Sequence, residues 1–225
     1  MLRVYEQCVK NGTRYCKGAT GMKHIVFDVD GTLIDTEQAL LHSLRDTMQE
    51  ITGKQYPLSE LTFAMGIPSV ECMEALQVPD IPRAIALWDK KSAAYSTMVQ
   101  VFPGIRQVLE ALTDRGCHLG IVTSRSRQEF QDVVPALGID RYFPVIICAD
   151  DTPSHKPDPE PLLKYAELTG AELGDMVYIG DSPYDKACAD SAEVAFYLAA
   201  WGAGKPVNVE SRFRLENPME LLEQL

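Results

Sequence analysis

The stretch His24-Ile25-Val26-Phe27-Asp28-Val29-Asp30-Gly31-Thr32-Leu33 constrains this chain most. It opens as a short apolar run of strand formers, the pattern of a buried strand. It then stops abruptly in two carboxylates, a glycine and a hydroxyl. Open α/β sheets take their ligands outside the carboxyl ends of the strands. Asp28 and Asp30 would share a face if the strand continued, and Gly31 permits a sharp turn straight after them. Paired carboxylates in this position read as a metal-assisted phosphoryl-transfer centre, if the chain also supplies a cation and a phosphate-holding hydroxyl.

Downstream, the hydrophobic period changes. Thr36 suits an N-cap for a helix to about Thr52, with Leu40, Leu41, Leu44, Met48 and Ile51 as its apolar stripe. Short apolar segments follow, broken by Pro57, Gly66-Ile67-Pro68, Pro79 and Pro82, and Pro82 suits the first turn of a helix to about Val99. Residues 38–100 therefore read as an all-helical domain inserted after the first strand. From Phe102-Pro103-Gly104 the rhythm is helix, then alternating strand and helix. Strands are expected over His118–Thr123, Val145–Ala149, Met176–Gly180 and, as the last core strand, Val194–Leu198. Helices are expected over Ser126–Leu137, Pro159–Thr169 and Tyr184–Ser191, with a closing helix from Asn217. The fold class is α/β, a doubly wound parallel sheet formed by residues 22–37 and 101–225, with the helical insertion between. Residues 1–21 read as a poorly ordered extension.

Four strand ends carry polar residues: Asp28 and Asp30; Thr123 and Ser124; Lys156, in His155-Lys156-Pro157-Asp158-Pro159; and Asp181 and Asp185, in Gly180-Asp181-Ser182-Pro183-Tyr184-Asp185. Each alone has a plainer reading as a turn, a helix cap or a solvated charge. Together, at one sheet edge, they fit a single task. Carboxylates bind Mg²⁺ or act as nucleophiles, hydroxyls and N–H groups hold phosphate oxygens, and a lysine offsets substrate charge. Arg125 and Arg127 suit substrate contact and a solvated helix start equally. His155 reads as exposed, His42 and His118 as structural, and Trp88 and Tyr95 as core of the insertion.

These four motifs, in this order, resemble the haloacid dehalogenase superfamily, and the resemblance runs from residue 22 onward. The insertion and the KPDPEP stretch are similar to the phosphoglycolate phosphatase-like and pyrophosphatase-like branch. The resemblance implies a Rossmann-like core with a helical cap and a phosphatase acting through an aspartyl phosphate. Asp28 is implied as nucleophile and Asp30 as acid and base. Mg²⁺ is implied on the Asp28 side chain, the Asp30 backbone carbonyl and Asp181. Thr123 and the Ser124 N–H would hold the phosphoryl group, Lys156 would neutralise charge, and Asp185 would orient Lys156 or a metal water. A β-phosphoglucomutase type of phosphomutase and an inorganic pyrophosphatase are the alternatives. Such mutases usually carry an arginine in the segment matching residues 66–70, where this chain has none. A phosphoacceptor signalling domain would be shorter and lack the insertion.

The net charge of -11 argues against nucleic-acid or anionic-membrane surfaces. It also repels phosphorylated substrates, so the expected small phosphorylated metabolite needs local cations. The expected state is monomer or homodimer. Six cysteines without a CxxC pair suit reduced thiols and a cytoplasmic setting, with Cys8 and Cys16 read as incidental. No apolar run approaches transmembrane length, and Val4-Tyr5-Glu6-Gln7-Cys8 is no signal-peptide core.

Overall fold

The computed structural model describes residues 23–65, 69–202 and 209–225. The expected extension, Cys8 and Cys16, and Gly66-Ile67-Pro68 lie outside the described residues. The main sheet is built from β1 (His24–Phe27), β4 (His118–Val122), β5 (Val145–Ile147), β6 (Met176–Gly180), β7 (Ala195–Ala199) and β8 (Phe213–Leu215). Its strand order is β5-β4-β1-β6-β7-β8, and every neighbouring pair is parallel. The strand ends therefore lie along one edge, and β1 sits where the chain order switches sides, the place where such sheets bind ligands.

The apolar run of β1 is explained by burial on both faces. Ile25 and Phe27 enter one apolar cluster with Ile105, Val108, Leu109 and Leu112 of α5 (Ile105–Asp114), Phe130 of α6 (Arg127–Val133) and Leu221 of α9 (Leu221–Gln224). Val26 enters the opposite cluster with Leu162 and Tyr165 of α7 (Glu160–Thr169) and Cys188 of α8 (Pro183–Ser191). Each half-sheet thus has helices on both faces.

β8 corrects the expectation that Val194–Leu198 is the last core strand. Phe213-Arg214-Leu215 is only three residues long, with an exposed arginine in the middle, so its period is too short to register. Pairing with β7 makes it a strand, and Phe213 stacks on Tyr197 with ring centroids 4.4 Å apart. Helix ends also moved. The helix expected from Ser126 stops at Val133 because Pro135 lacks the N–H to continue it, and a 3-10 turn covers Pro135–Leu137. The helix expected to about Val99 ends at Ser92, and a 3-10 segment covers Ala93–Met98.

Between β2 (Ile34–Asp35) and β3 (Gln100–Val101) the described residues are helical or irregular: α1 (Glu37–Thr52), α2 (Leu58–Leu61), α3 (Ser69–Ala75) and α4 (Ile81–Ser92). They enclose a separate apolar cluster that includes Leu41, Leu44, Met48, Leu61, Met73 and Trp88. The Trp88 indole N–H donates to Ser43 Oγ at 2.9 Å, so its one polar atom is satisfied inside that cluster. β2 and β3 pair antiparallel, Ile34 with Val101 and Asp35 with Gln100, and form a narrow ribbon where the chain leaves and re-enters the sheet domain.

Candidate active site

β1 ends at Phe27, and the Asp28 N–H still donates to Ile179 O of β6 at 2.8 Å. The Asp28 carboxylate is thereby delivered to the sheet edge. Gly31 then turns the chain with φ +72°. It has a second reason to be glycine: a side chain at that position would run into the Asp181 carboxylate. The first and last motifs are thus packed against each other through a missing Cβ.

Lys156 joins two of the expected residues, Asp28 and Asp185, and adds Tyr178. Its Nζ donates to Asp28 Oδ1 at 2.9 Å and to Asp185 Oδ1 at 2.6 Å, and lies 3.2 Å from the Tyr178 hydroxyl. Its side chain keeps only 5% of its accessible surface. Asp185 is fully committed. Oδ1 takes Lys156 and the Tyr178 hydroxyl, and Oδ2 takes the Ser182 N–H and hydroxyl as part of the capping box that starts α8. Asp185 orients Lys156 and caps a helix at once. Asp181 Oδ1 accepts from the Thr32 hydroxyl at 3.3 Å.

Asp30, two residues from Asp28, sits in a different field. Arg125 grips it with two bonds, Nε to Oδ2 and Nη2 to Oδ1, both 2.7 Å. Thr36 stands at the N-cap of α1 but makes no side-chain capping bond there, and its hydroxyl serves Asp30 instead. Thr123 is buried after β4, and its Oγ1 accepts the Arg125 backbone N–H at 3.2 Å. Ser124 is exposed beside it.

The charges follow. Burial, helped by Asp185 and Asp30, pushes the Asp28 carboxyl up to about 7 against the pull of Lys156. Burial would also raise Asp30, but the Arg125 guanidinium overrides it and holds Asp30 below the ordinary carboxylate range. Burial, then Asp185 and Asp28, push Asp181 well above that range. Burial opposes a charged Lys156, yet Asp185 and Asp28 keep its pKa raised. Lys156 likewise holds Asp185 down against burial.

Carboxylate oxygens of Asp28, Asp181 and Asp185 lie within 4.8 Å of one another. Three carboxylates thus face one ammonium, an excess of negative charge and a hard-oxygen donor set that suits a small divalent cation.

The family model of the haloacid dehalogenase-like hydrolases matches residues 25–199. The chain belongs to that family. It is an enzyme, a hydrolase. The pyrophosphatase PpaX of Halalkalibacterium halodurans is 28% identical over 162 residues, 72% of this chain and 75% of that protein. The phosphoglycolate phosphatase of Aquifex aeolicus is 27% identical over 204 residues, 90% of this chain and 96% of its own length. A Lactobacillus plantarum structure, provisionally named a phosphoglycolate phosphatase, superposes with TM-score 0.85 at 28% identity, covering 92% of this chain and all of that one.

The plainer readings of Arg127 and the histidines agree with their contacts, but Tyr95, expected as core of the insertion, is half-buried against the sheet's apolar cluster and donates its hydroxyl to Asp46. Arg127 ties its loop to Asp150, Asp151 and Ile146 O. His155 is exposed, His118 stacks on His24, and His42 stacks on Tyr95. Sequence reasoning missed the pairing of Arg125 with Asp30, and the Tyr178 bridge. Arg125 directly follows the Thr123-Ser124 motif, which was the available signal; Tyr178 inside a buried strand offered none.

Proposed function

We propose that this hydrolase is a Mg²⁺-dependent phosphatase for a small phosphorylated metabolite of the phosphoglycolate kind, acting through an aspartyl phosphate on Asp28. The observation that carries the reading is the Lys156 bridge between Asp28 and Asp185, beside a second carboxylate held apart by Arg125. Asp28 and Asp30 thus have separate environments, which two carboxylates need in order to take different roles.

Asp28 attacks phosphorus, an O–P bond forms, and the bond to the leaving oxygen breaks. Asp30, in its protonated form, gives that oxygen its proton, then as the carboxylate takes one from the water that cleaves the acyl phosphate. Thr123 and the Ser124 N–H hold the phosphoryl oxygens. Lys156 screens the carboxylate from its dianionic target. Asp185 is spent on Lys156 and Ser182, and the Asp30 carboxylate on Arg125, so Asp28, Asp181 and the Asp30 backbone carbonyl would hold the cation. When bound, Mg²⁺ neutralises charge on the phosphoryl group.

The helical insertion, residues 38–100, serves as the cap and moves as a lid at the β2–β3 ribbon, near Thr36 and Phe102. Tyr184 supports this from the core side: its hydroxyl donates to Glu71 of α3 at 2.7 Å. An unchanged cap orientation with a bound phosphate analogue would count against a lid. Among the described residues no helix is long and apolar enough to cross a membrane. The free cysteines Cys72, Cys117, Cys148 and Cys188 support a reducing, cytoplasmic setting.

p-Nitrophenyl phosphate turnover tests the reading. Asp28→Asn should lose at least about 10⁴-fold in kcat, because the nucleophile is gone. Omitting Mg²⁺ should abolish turnover; full activity in either case would sink the mechanism. The pyrophosphatase reading is favoured by the PpaX relatives, and a panel ranking pyrophosphate against phosphomonoesters by kcat/KM decides it. A neighbour from Thermotoga maritima carries a β-phosphoglucomutase name at TM-score 0.72 and 25% identity. Thr32 and the lack of arginine over residues 66–70 favour the phosphatase.

A further inference from the structure

Arg125 is the unexplained part of the site. Its backbone is anchored on both sides: the N–H donates to Thr123 Oγ1, and the carbonyl accepts the Ala149 N–H at 2.8 Å. Its guanidinium spends two donors on Asp30. That pair is open to ligands in a way that the Lys156 centre is not. The Arg125 and Asp30 side chains keep 19% and 39% of their accessible surface, against 5% for Lys156 and none for Asp185.

Two consequences follow from geometry. First, each Asp30 oxygen already accepts one guanidinium bond, so a leaving group served by Asp30 meets Arg125 as a competitor for the same oxygens. Second, whatever leaving group Asp30 serves lies within a carboxylate's width of the guanidinium. A planar, permanently charged fork is matched to a carboxylate or phosphate, which it binds through two parallel bonds. An anionic group on the leaving side of the substrate would compete with Asp30 for that fork; a neutral alkyl tail would not. Two cations of the insertion are already engaged: Arg45 is paired with Asp46, and Lys91 with Glu50.

We propose that Arg125 reads a second anion on the substrate: it rests on Asp30 and transfers to a carboxylate or phosphate on the leaving group, so the enzyme selects bis-anionic phosphates over phosphomonoesters with neutral tails. This inference rests on the phosphatase reading and adds a substrate class to it. It makes the acid/base residue available when the right substrate is bound.

The test compares a matched pair, 2-phosphoglycolate and ethyl phosphate, which differ by a carboxylate against a methyl. The wild-type enzyme should prefer 2-phosphoglycolate at least tenfold in kcat/KM. Arg125→Gln should erase that preference, chiefly by raising KM for 2-phosphoglycolate. Arg125→Lys, which keeps the charge without the fork, should retain part of it. Both substrates lose turnover through the disturbed Asp30, so the ratio carries the result. Arg125→Met stands in if the glutamine variant does not fold. Binding provides an independent arm in the wild type: phosphonoacetate should compete at least tenfold more tightly than ethylphosphonate. Three outcomes overturn the proposal: no preference in the wild type, an undiminished preference in the neutral variants, or an equal loss on both substrates, which would leave Arg125 as a clamp on Asp30 alone. Absence of turnover of 2-phosphoglycolate, ethyl phosphate and p-nitrophenyl phosphate alike would instead overturn the phosphatase reading, a separate failure.

Discussion

At the sheet edge one buried ammonium, Lys156, faces Asp28 and Asp185 at bonding distance, with Asp181 close by. In the helical insertion the ion pairs lie outside. Arg45 with Asp46 and Lys91 with Glu50 are solvent-facing, while the interior is Leu41, Leu44, Met48, Met73 and Trp88. The insertion is held by apolar burial, which needs no partner chemistry. The sheet edge keeps charges in a place where each costs desolvation and survives only through its partners. Instability is thus concentrated where a cation and a phosphoryl group would relieve it, while the insertion rests on an ordinary apolar core.

The comparison breaks most visibly at Lys156. Lys156→Met leaves Asp28 and Asp185 buried without their cation, and should cost about 3–5 kcal/mol in urea unfolding of the metal-free protein. Lys91→Met, which breaks the exposed pair with Glu50, should leave the urea midpoint unmoved. Similar losses in both variants would erase the contrast.

Proton linkage gives the next effect. Asp28 is raised from an ordinary 3.8 to about 7. Its neutral form is favoured in the folded state, so its contribution is complete below 3.8 and is lost as pH rises towards about 7. Asp181 acts in the same sense, being raised. Asp30 and Asp185 act oppositely, since their lowered values withdraw stability only in acid. The metal-free protein should therefore weaken between pH 4 and 7. Mg²⁺ at a hundredfold excess over its Kd should return about 2.7 kcal/mol. That gain should be larger at pH 8 than at pH 5, because the ligand carboxylates must be ionised to bind. Thermal melts with and without Mg²⁺ at both pH values measure it, and an equal gain would remove Asp28 and Asp181 as ligands.

The smallest effect sharpens the boundary between the two regions. Tyr184→Phe removes the bond to Glu71, an exposed contact worth no more than about 1 kcal/mol. KM should move by no more than about fivefold, with kcat retained. A change of tenfold or more would place the Tyr184 hydroxyl on the substrate rather than on Glu71 of α3.

Much of this was legible from residue order. The apolar run of β1, the paired carboxylates and the later polar strand ends are local patterns, and the parallel sheet brings them to one edge by topology alone. The Ser126–Glu129 and Ser182–Asp185 boxes mark helix starts at short range. What escaped depends on distance in the chain. Phe213–Leu215 becomes a strand only by pairing with β7. Thr36 stands at a helix start yet gives its hydroxyl to Asp30. Tyr178 reads as one more apolar strand residue, though its hydroxyl meets Lys156, Asp185 and Val122 O.

Taken alone, the sequence determined the fold class, the helical character of the insertion and the identity of the candidate catalytic groups, because each rests on periodicity or on a motif within a few residues. Only the tertiary structure decided how those groups are charged. Asp28 and Asp30 are the same residue type two positions apart, and nothing local distinguishes them. Arg125, 95 positions after Asp30, holds one carboxyl down, while burial beside Asp185 pushes the other up against Lys156, 128 positions after Asp28. Coulomb interactions and desolvation depend on distance in space, and the chain sets that distance only once it has folded.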